Sequence, residues 1–147
     1  MNLTKMQIDQ IKNFLKKQKG IIAVYLYGSF AVGKAKKNSD LDLAILYKKK
    51  SKLDQNLFAQ IKLANQLSKL LKKKVETQSL DAVSLPFAFR VISQGKLLLG
   101  KESYQRVDFE LKISRNYFDL KNFYQEYELQ IANLARKGVI DARPFAY

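Results

Sequence analysis

Two aspartates, Asp40 and Asp42, stand at the head of a short apolar run, LDLAILY from Leu41 to Tyr47, whose residue types suit a β-strand. Side chains two apart on a strand share a face, so both carboxylates project from one side with their Cα atoms roughly 7 Å apart. Two anions held together on a mostly apolar strand repel one another and lose hydration unless a cation stands between them. The chain contains no His and no Cys. A cation here must therefore be held by oxygen, which suits Mg²⁺, Mn²⁺ or Ca²⁺ far better than zinc, and thiolate sites and disulfides are excluded. Any general base must equally be a carboxylate, a lysine or a tyrosine. A D-x-D on its own is also what two solvated aspartates at a strand edge look like, so the pair needs support from elsewhere in the chain.

That support comes from Gly28-Ser29, which directly follows a second apolar run, Ile21 to Tyr27 (IIAVYLY). A chain turning out of a strand into a helix exposes free backbone N–H groups. Glycine lets that backbone approach a phosphate, and the serine hydroxyl adds a donor. The stretch from Gly28 to Lys34 also fits G-x-x-x-x-G-K, the phosphate-loop pattern, but the next residue is Ala35 rather than Ser or Thr. The metal-binding hydroxyl is missing, and Asn38-Ser39 and the second strand arrive too soon for the helix that such a loop requires.

Gly28-Ser29, ten intervening residues and then Asp40-x-Asp42 resemble the signature of the polymerase β-like nucleotidyltransferase superfamily. The local text YGSFAVGKAKKNSDLDLAIL is similar to its minimal nucleotidyltransferase (MNT) branch, and VETQSLDAVSLPFAFRVISQGKLLLG extends the likeness more weakly. The resemblance implies a small mixed sheet with flanking helices. It also implies a third carboxylate on the strand after the intervening helix, where Val75-Glu76-Thr77-Gln78 stands. Glu76 is the candidate and Asp81 the alternative; Glu76 is one methylene longer than the family's usual Asp. Where the family often carries a basic residue near the phosphates this chain has Val32, with Lys34 or Lys36 as substitutes.

The resemblance implies that Asp40, Asp42 and Glu76 are catalytic and hold one or two Mg²⁺ ions. Gly28, Ser29 and Lys34 would bind the nucleotide, with ATP as substrate and Glu76 helping to deprotonate an acceptor hydroxyl. MNT chains of this length with a helical extension resemble the antitoxin half of HEPN/MNT pairs. There the MNT protein moves AMP from ATP to a tyrosine of a HEPN ribonuclease toxin and also binds it. Two alternatives stay open: a small-molecule, aminoglycoside-like acceptor, which would call for an acidic cleft, and an inactive module that neutralises its partner by contact.

The elements that must position these residues are legible from periodicity. Thr4 with Gln7 opens a helix carrying Ile8, Ile11, Phe14 and Leu15, and Gly20 ends it before the first strand. Ser51 with Asp54 predicts one helix with an apolar stripe at Leu53, Leu57, Ile61, Ala64, Leu67 and Leu71. Val75 to Leu80 reads as a third strand, Pro86 to Gly95 as a short helix, and Lys96 to Leu99 as a last strand. Ser103 to Lys137 lacks Pro and Gly and predicts one long or broken helix, after which the tail VIDARPFAY reads as loosely ordered. The expected class is α/β: a nucleotidyltransferase core over 1–101, then a helical extension and tail over 102–147.

Composition sets the remaining bounds. The chain has 147 residues, 47% hydrophobic, with a formal net charge of +14. That suffices for one domain with a real core. Lysine runs at 16–19, 34–37, 48–50 and 72–74 read either as a surface for a polyanionic or acidic partner or as plain solvated faces. Arginine is scarce and aromatics do not interleave with the lysines, so no sequence-specific nucleic-acid surface is expected. The absence of a leader-like or membrane-length apolar run predicts a cytoplasmic protein that does not engage a membrane.

Overall fold

A computed structural model of the chain describes residues 2–140. The capping box forms as expected: Thr4 Oγ1 accepts from the Gln7 N–H at 3.2 Å, and Gln7 Oε1 accepts from the Thr4 N–H at 3.0 Å. It opens helix α1 (Lys5–Lys16), which buries Ile11 and Leu15. Strand β1 (Ile21–Tyr27), the single turn α2 (Gly28–Ala31) and strand β2 (Leu41–Tyr47) follow. No helix follows Lys34 before residue 52, so the phosphate-loop alternative has no structural counterpart.

The helix predicted from Ser51 is two helices, α3 (Lys52–Gln55) and α4 (Leu57–Leu71). Asn56 separates them in extended conformation, and its side chain accepts from the Ala59 N–H at 3.2 Å. An Asn side chain that reaches its neighbouring backbone competes with helix continuation and starts a new one. The break turns the stripe: Leu53, Leu63, Leu67 and Leu71 are buried, whereas Leu57 and Ile61 face solvent. Strand β3 (Val75–Ser79), helix α5 (Leu85–Gln94, capped by Ser84 with Pro86 in its first turn), strand β4 (Lys96–Leu99) and helix α6 (Tyr104–Arg136) complete the order.

The sheet runs β3-β2-β1-β4. β1 pairs antiparallel with both β2 and β4, and β2 pairs parallel with β3. Both faces of the two central strands are covered. Val24, Leu26, Leu43 and Ile45 pack with Ile11, Leu15, Leu63 and Leu67 of α1 and α4. Ala23, Tyr25, Ala44 and Leu46 pack with Ala88 and Val91 of α5 and with Phe109 and Ile113 of α6. Two-sided burial is why β1 and β2 read as continuous apolar runs, and an edge position is why β3 (VETQS) alternates.

Helix α6 spans 33 residues without fully burying one. Its base is fastened by Arg106, which donates to the Gly100 carbonyl at 2.9 Å, the Lys101 carbonyl at 3.1 Å and the Glu110 carboxylate at 2.6 Å. Glu110 also accepts from the buried Tyr25 hydroxyl of β1. About two turns past Glu110, Tyr117 stacks on Phe89 of α5 with ring centroids 3.9 Å apart. Beyond it the apolar side chains face outward. Most of the expected loose tail, residues 141–147, lies outside the described residues. No helix among the described residues is long and apolar enough to cross a membrane.

Candidate active site

Asp42 is the second residue of β2 and is flanked on both sides by pairing. Its antiparallel partner is Tyr27, the last residue of β1, and its parallel partner is Glu76 of β3. Register therefore sets Glu76 beside Asp42 and delivers Gly28, the residue after Tyr27, next to the same carboxylate. Gly28 has φ +69°, the left-handed region, and a Cβ there would collide with Asp42 Oδ2 and stand 3.1 Å from Cγ. Only glycine serves at this position, for backbone reach and for room.

Asp40 lies just before β2, within reach of the same group. The Lys74 ammonium donates to Asp40 Oδ2 at 2.8 Å and to Glu76 Oε1 at 2.5 Å, bridging the two carboxylates. The three acids thus gather at one end of β2–β3. Burial pushes the Asp42 carboxyl up to about 6; the charges of Glu76 and Asp40 add to that shift and Lys74 opposes it. An acid in that position gains from any added positive charge. Among the described residues no three acidic side chains are close enough to close round a metal as they stand. The donor chemistry nonetheless fits a hard divalent cation, since every ligand is a carboxylate oxygen and an ammonium already bridges two of them.

The turn after β1 opens on a cavity of about 330 Å³ whose wall includes Tyr27, Gly28, Ser29, Lys34, Phe87 and Arg90. Two cationic side chains and a glycine turn beside the carboxylates make this wall suited to an anion such as a polyphosphate. Lys36 is not part of it. Another cavity, about 390 Å³, is lined by Tyr47, Lys48, Lys49 and Asp81 at the other end of β2. There Asp81 pairs with Lys49 at 3.2 Å, so the structure brings Glu76 and not Asp81 to Asp40 and Asp42.

The lysine run 72–74 proves to be three different devices. Lys72 ends α4 in left-handed conformation at φ 50°. Lys73 Nζ donates to the carbonyls of Lys37 and Ser39 at 3.0 and 3.1 Å and lies 5.2 Å from the Phe30 ring centroid, fastening the loop between Gly33 and Asp40. Lys74 bridges the acids. Reading the run as charge alone misses Lys74, which stands just before β3, two residues ahead of Glu76. Arg90, on α5, carries no sequence signal that links it to the glycine turn.

A four-stranded mixed sheet with a glycine-serine turn set against spaced carboxylates on neighbouring strands is the nucleotidyltransferase arrangement. Residues 9–104 match the family described as Polymerase beta, Nucleotidyltransferase, and the chain belongs to that family. It is 34% identical over 79 residues to the protein adenylyltransferase MntA of Shewanella oneidensis, an alignment spanning 54% of each chain, so it matches about half the length of that relative. Its structure is similar to a chain in a crystal structure of a toxin–antitoxin complex with AMP-PNP (TM-score 0.71, 25% identity, 85% of this chain and 98% of that one). A tri-AMPylated Shewanella oneidensis HEPN toxin in complex with its MNT antitoxin gives a TM-score of 0.68 at 22% identity, covering 88% and 99%, which shows the shared fold.

Proposed function

We propose that this chain is an antitoxin that transfers AMP from ATP to a tyrosine hydroxyl of a HEPN-type ribonuclease toxin and so neutralises it. The observation that carries the reading is the meeting of Gly28, Asp42 and Glu76 across three paired strands, with Asp40 tied to Glu76 through Lys74. The likeness to MntA and to an antitoxin bound with AMP-PNP supports the choice of ATP and of a protein acceptor.

In this reading Gly28 and Ser29 cradle the β- and γ-phosphates, with Lys34 and Arg90 lining the same cavity and balancing their charge. Asp40, Asp42 and Glu76 would hold one or two Mg²⁺ ions, which neutralise charge as pyrophosphate departs. Glu76 accepts the proton of the attacking hydroxyl, a role that falls to a carboxylate in a chain without His. The partner rests on an outward apolar stripe of α6, where Leu120, Phe123 and Tyr127 share one side of the helix and are exposed. The net charge of +14 favours an acidic partner surface and fast encounter at low salt.

The test is co-expression with a HEPN toxin, followed by intact-mass measurement of the toxin. Wild-type chain adds AMP to a toxin tyrosine. Asp42→Asn still co-purifies with the toxin but lowers transfer by on the order of 10³-fold. A stable complex with unmodified toxin turns the reading into neutralisation by contact. No complex at all points to a small-molecule acceptor.

A further inference from the structure

Among the described residues Lys74 is the one side chain that touches two of the three clustered acids, and nothing about it is built for permanence. Its side chain is 64% exposed, on a flexible four-carbon stem, and the Asp40 and Glu76 side chains it bridges are 37% and 47% exposed. Ion pairs of that exposure are weak and exchange readily with solvent. Asp42 receives no hydrogen bond from Lys74; it feels the ammonium only as a nearby charge. The lysine therefore satisfies two carboxylates and leaves the third short of positive charge.

We infer that Lys74 is a placeholder cation, which holds Asp40 and Glu76 together in the metal-free protein and swings out to solvent when a divalent cation takes their oxygens. This deepens the proposed function and rests on its metal-binding reading of the same acids. Two positive groups cannot share the gap between Asp40 Oδ2 and Glu76 Oε1, so binding of the ion and retention of the bridge exclude each other. Metal affinity is then reduced by the fraction of molecules in the bridged state. Lys74 acts as a positioning residue, because it keeps the side chains of β3 and of the Asp40 loop facing each other until the ion arrives.

The experiment is titration of the nucleotide-free chain with Mn²⁺ alone, read by the paramagnetic signal of the free ion, on wild type, Lys74→Met and Lys74→Arg. Lys74→Met binds Mn²⁺ about fivefold more tightly than wild type, the size expected when an exposed, weakly held competitor is removed. The metal-free melting temperature of Lys74→Met falls, because the acids lose their counterion, while Lys74→Arg keeps wild-type affinity. A merely structural lysine would give the reverse in the first variant: looser Mn²⁺ binding along with the lower melting temperature. Tighter binding by Lys74→Met, even where wild-type binding is too weak to register, supports the placeholder. Equal affinity in wild type and Lys74→Met overturns it and leaves the metal site standing. Failure of every variant, Lys74→Met included, to bind Mn²⁺ overturns the metal site and the placeholder together.

Discussion

Strand β2 and the outer half of helix α6 use similar residue types and treat them in opposite ways. In β2 the residues from Leu43 to Tyr47 are no more than 3% exposed, covered by α1 and α4 on one face and by α5 and α6 on the other. In α6, Phe118, Leu120, Phe123, Tyr127 and Leu129 are 45–66% exposed. Apolar area removed from water stabilises a fold by about 25 cal/mol per Å². The β2 side chains contribute that to this chain's own stability, and the outer α6 side chains contribute little of it. The difference separates a self-sufficient core that aligns carboxylates from a helix whose apolar face is left for another surface. The hinge between the two behaviours is the first part of α6, where Phe109 and Ile113 pack on the core and Arg106 and Glu110 fasten the helix to it.

That division can be broken most sharply at Arg106. Arg106→Ala removes the donors to the Gly100 and Lys101 carbonyls and strips Glu110 of its partner beside the Tyr25 hydroxyl. A loss of about 2 kcal/mol is expected, read as a lower urea midpoint. An unchanged midpoint would place the base of α6 outside the core.

A smaller effect sharpens the other side, the strain that the site imposes on the core. Folding raises the Asp42 carboxyl from 3.8 to about 6, chiefly by burial. A raised acid contributes stability that is fully present below its unfolded value and is lost as pH rises through its folded value. The metal-free wild type should therefore lose ground to Asp42→Asn between about pH 4 and 6. The shift at full weight is about 3 kcal/mol, and screening at a half-exposed site reduces it to about 1 kcal/mol. Denaturation midpoints of the two proteins across that range decide it; parallel curves would remove the electrostatic cost.

The smallest effect on stability belongs to the outer helix. Phe123→Ser, at a side chain 64% exposed, should stay within about 0.5 kcal/mol of wild type while weakening binding of a HEPN partner by about tenfold or more. A large loss of stability instead would show that the outer helix folds back on its own core.

How much of this is written locally in the chain varies by element. The four strands, the caps at Thr4 and Ser51, and the Asp40/Asp42 spacing follow from period and residue type, and each appears where the sequence places it. Asn56 escapes such reading because an Asn within a long helical period is ambiguous until its side chain finds the Ala59 N–H. Lys74 and Arg90 escape for a different reason. What they do depends on which strand lies beside which, and the order β3-β2-β1-β4 is not contained in any local window. Glu76 was reachable only by resemblance, since nothing in VETQS says that its parallel partner will be Asp42.

The parallel pairing of β3 with β2 has a consequence for the order of assembly. Leu41 meets Val75, so the pairing closes a long segment holding two helices, and contacts of such separation form late in folding. When β3 docks it brings Glu76 against Asp42, adding a third negative charge to a place that already has two. Lys74 stands immediately before that strand, two residues ahead of Glu76, so the charge and its counterion arrive in one step. Strand β3 thus meets little electrostatic barrier as it joins, and the chain can reach its folded form without waiting for a metal ion.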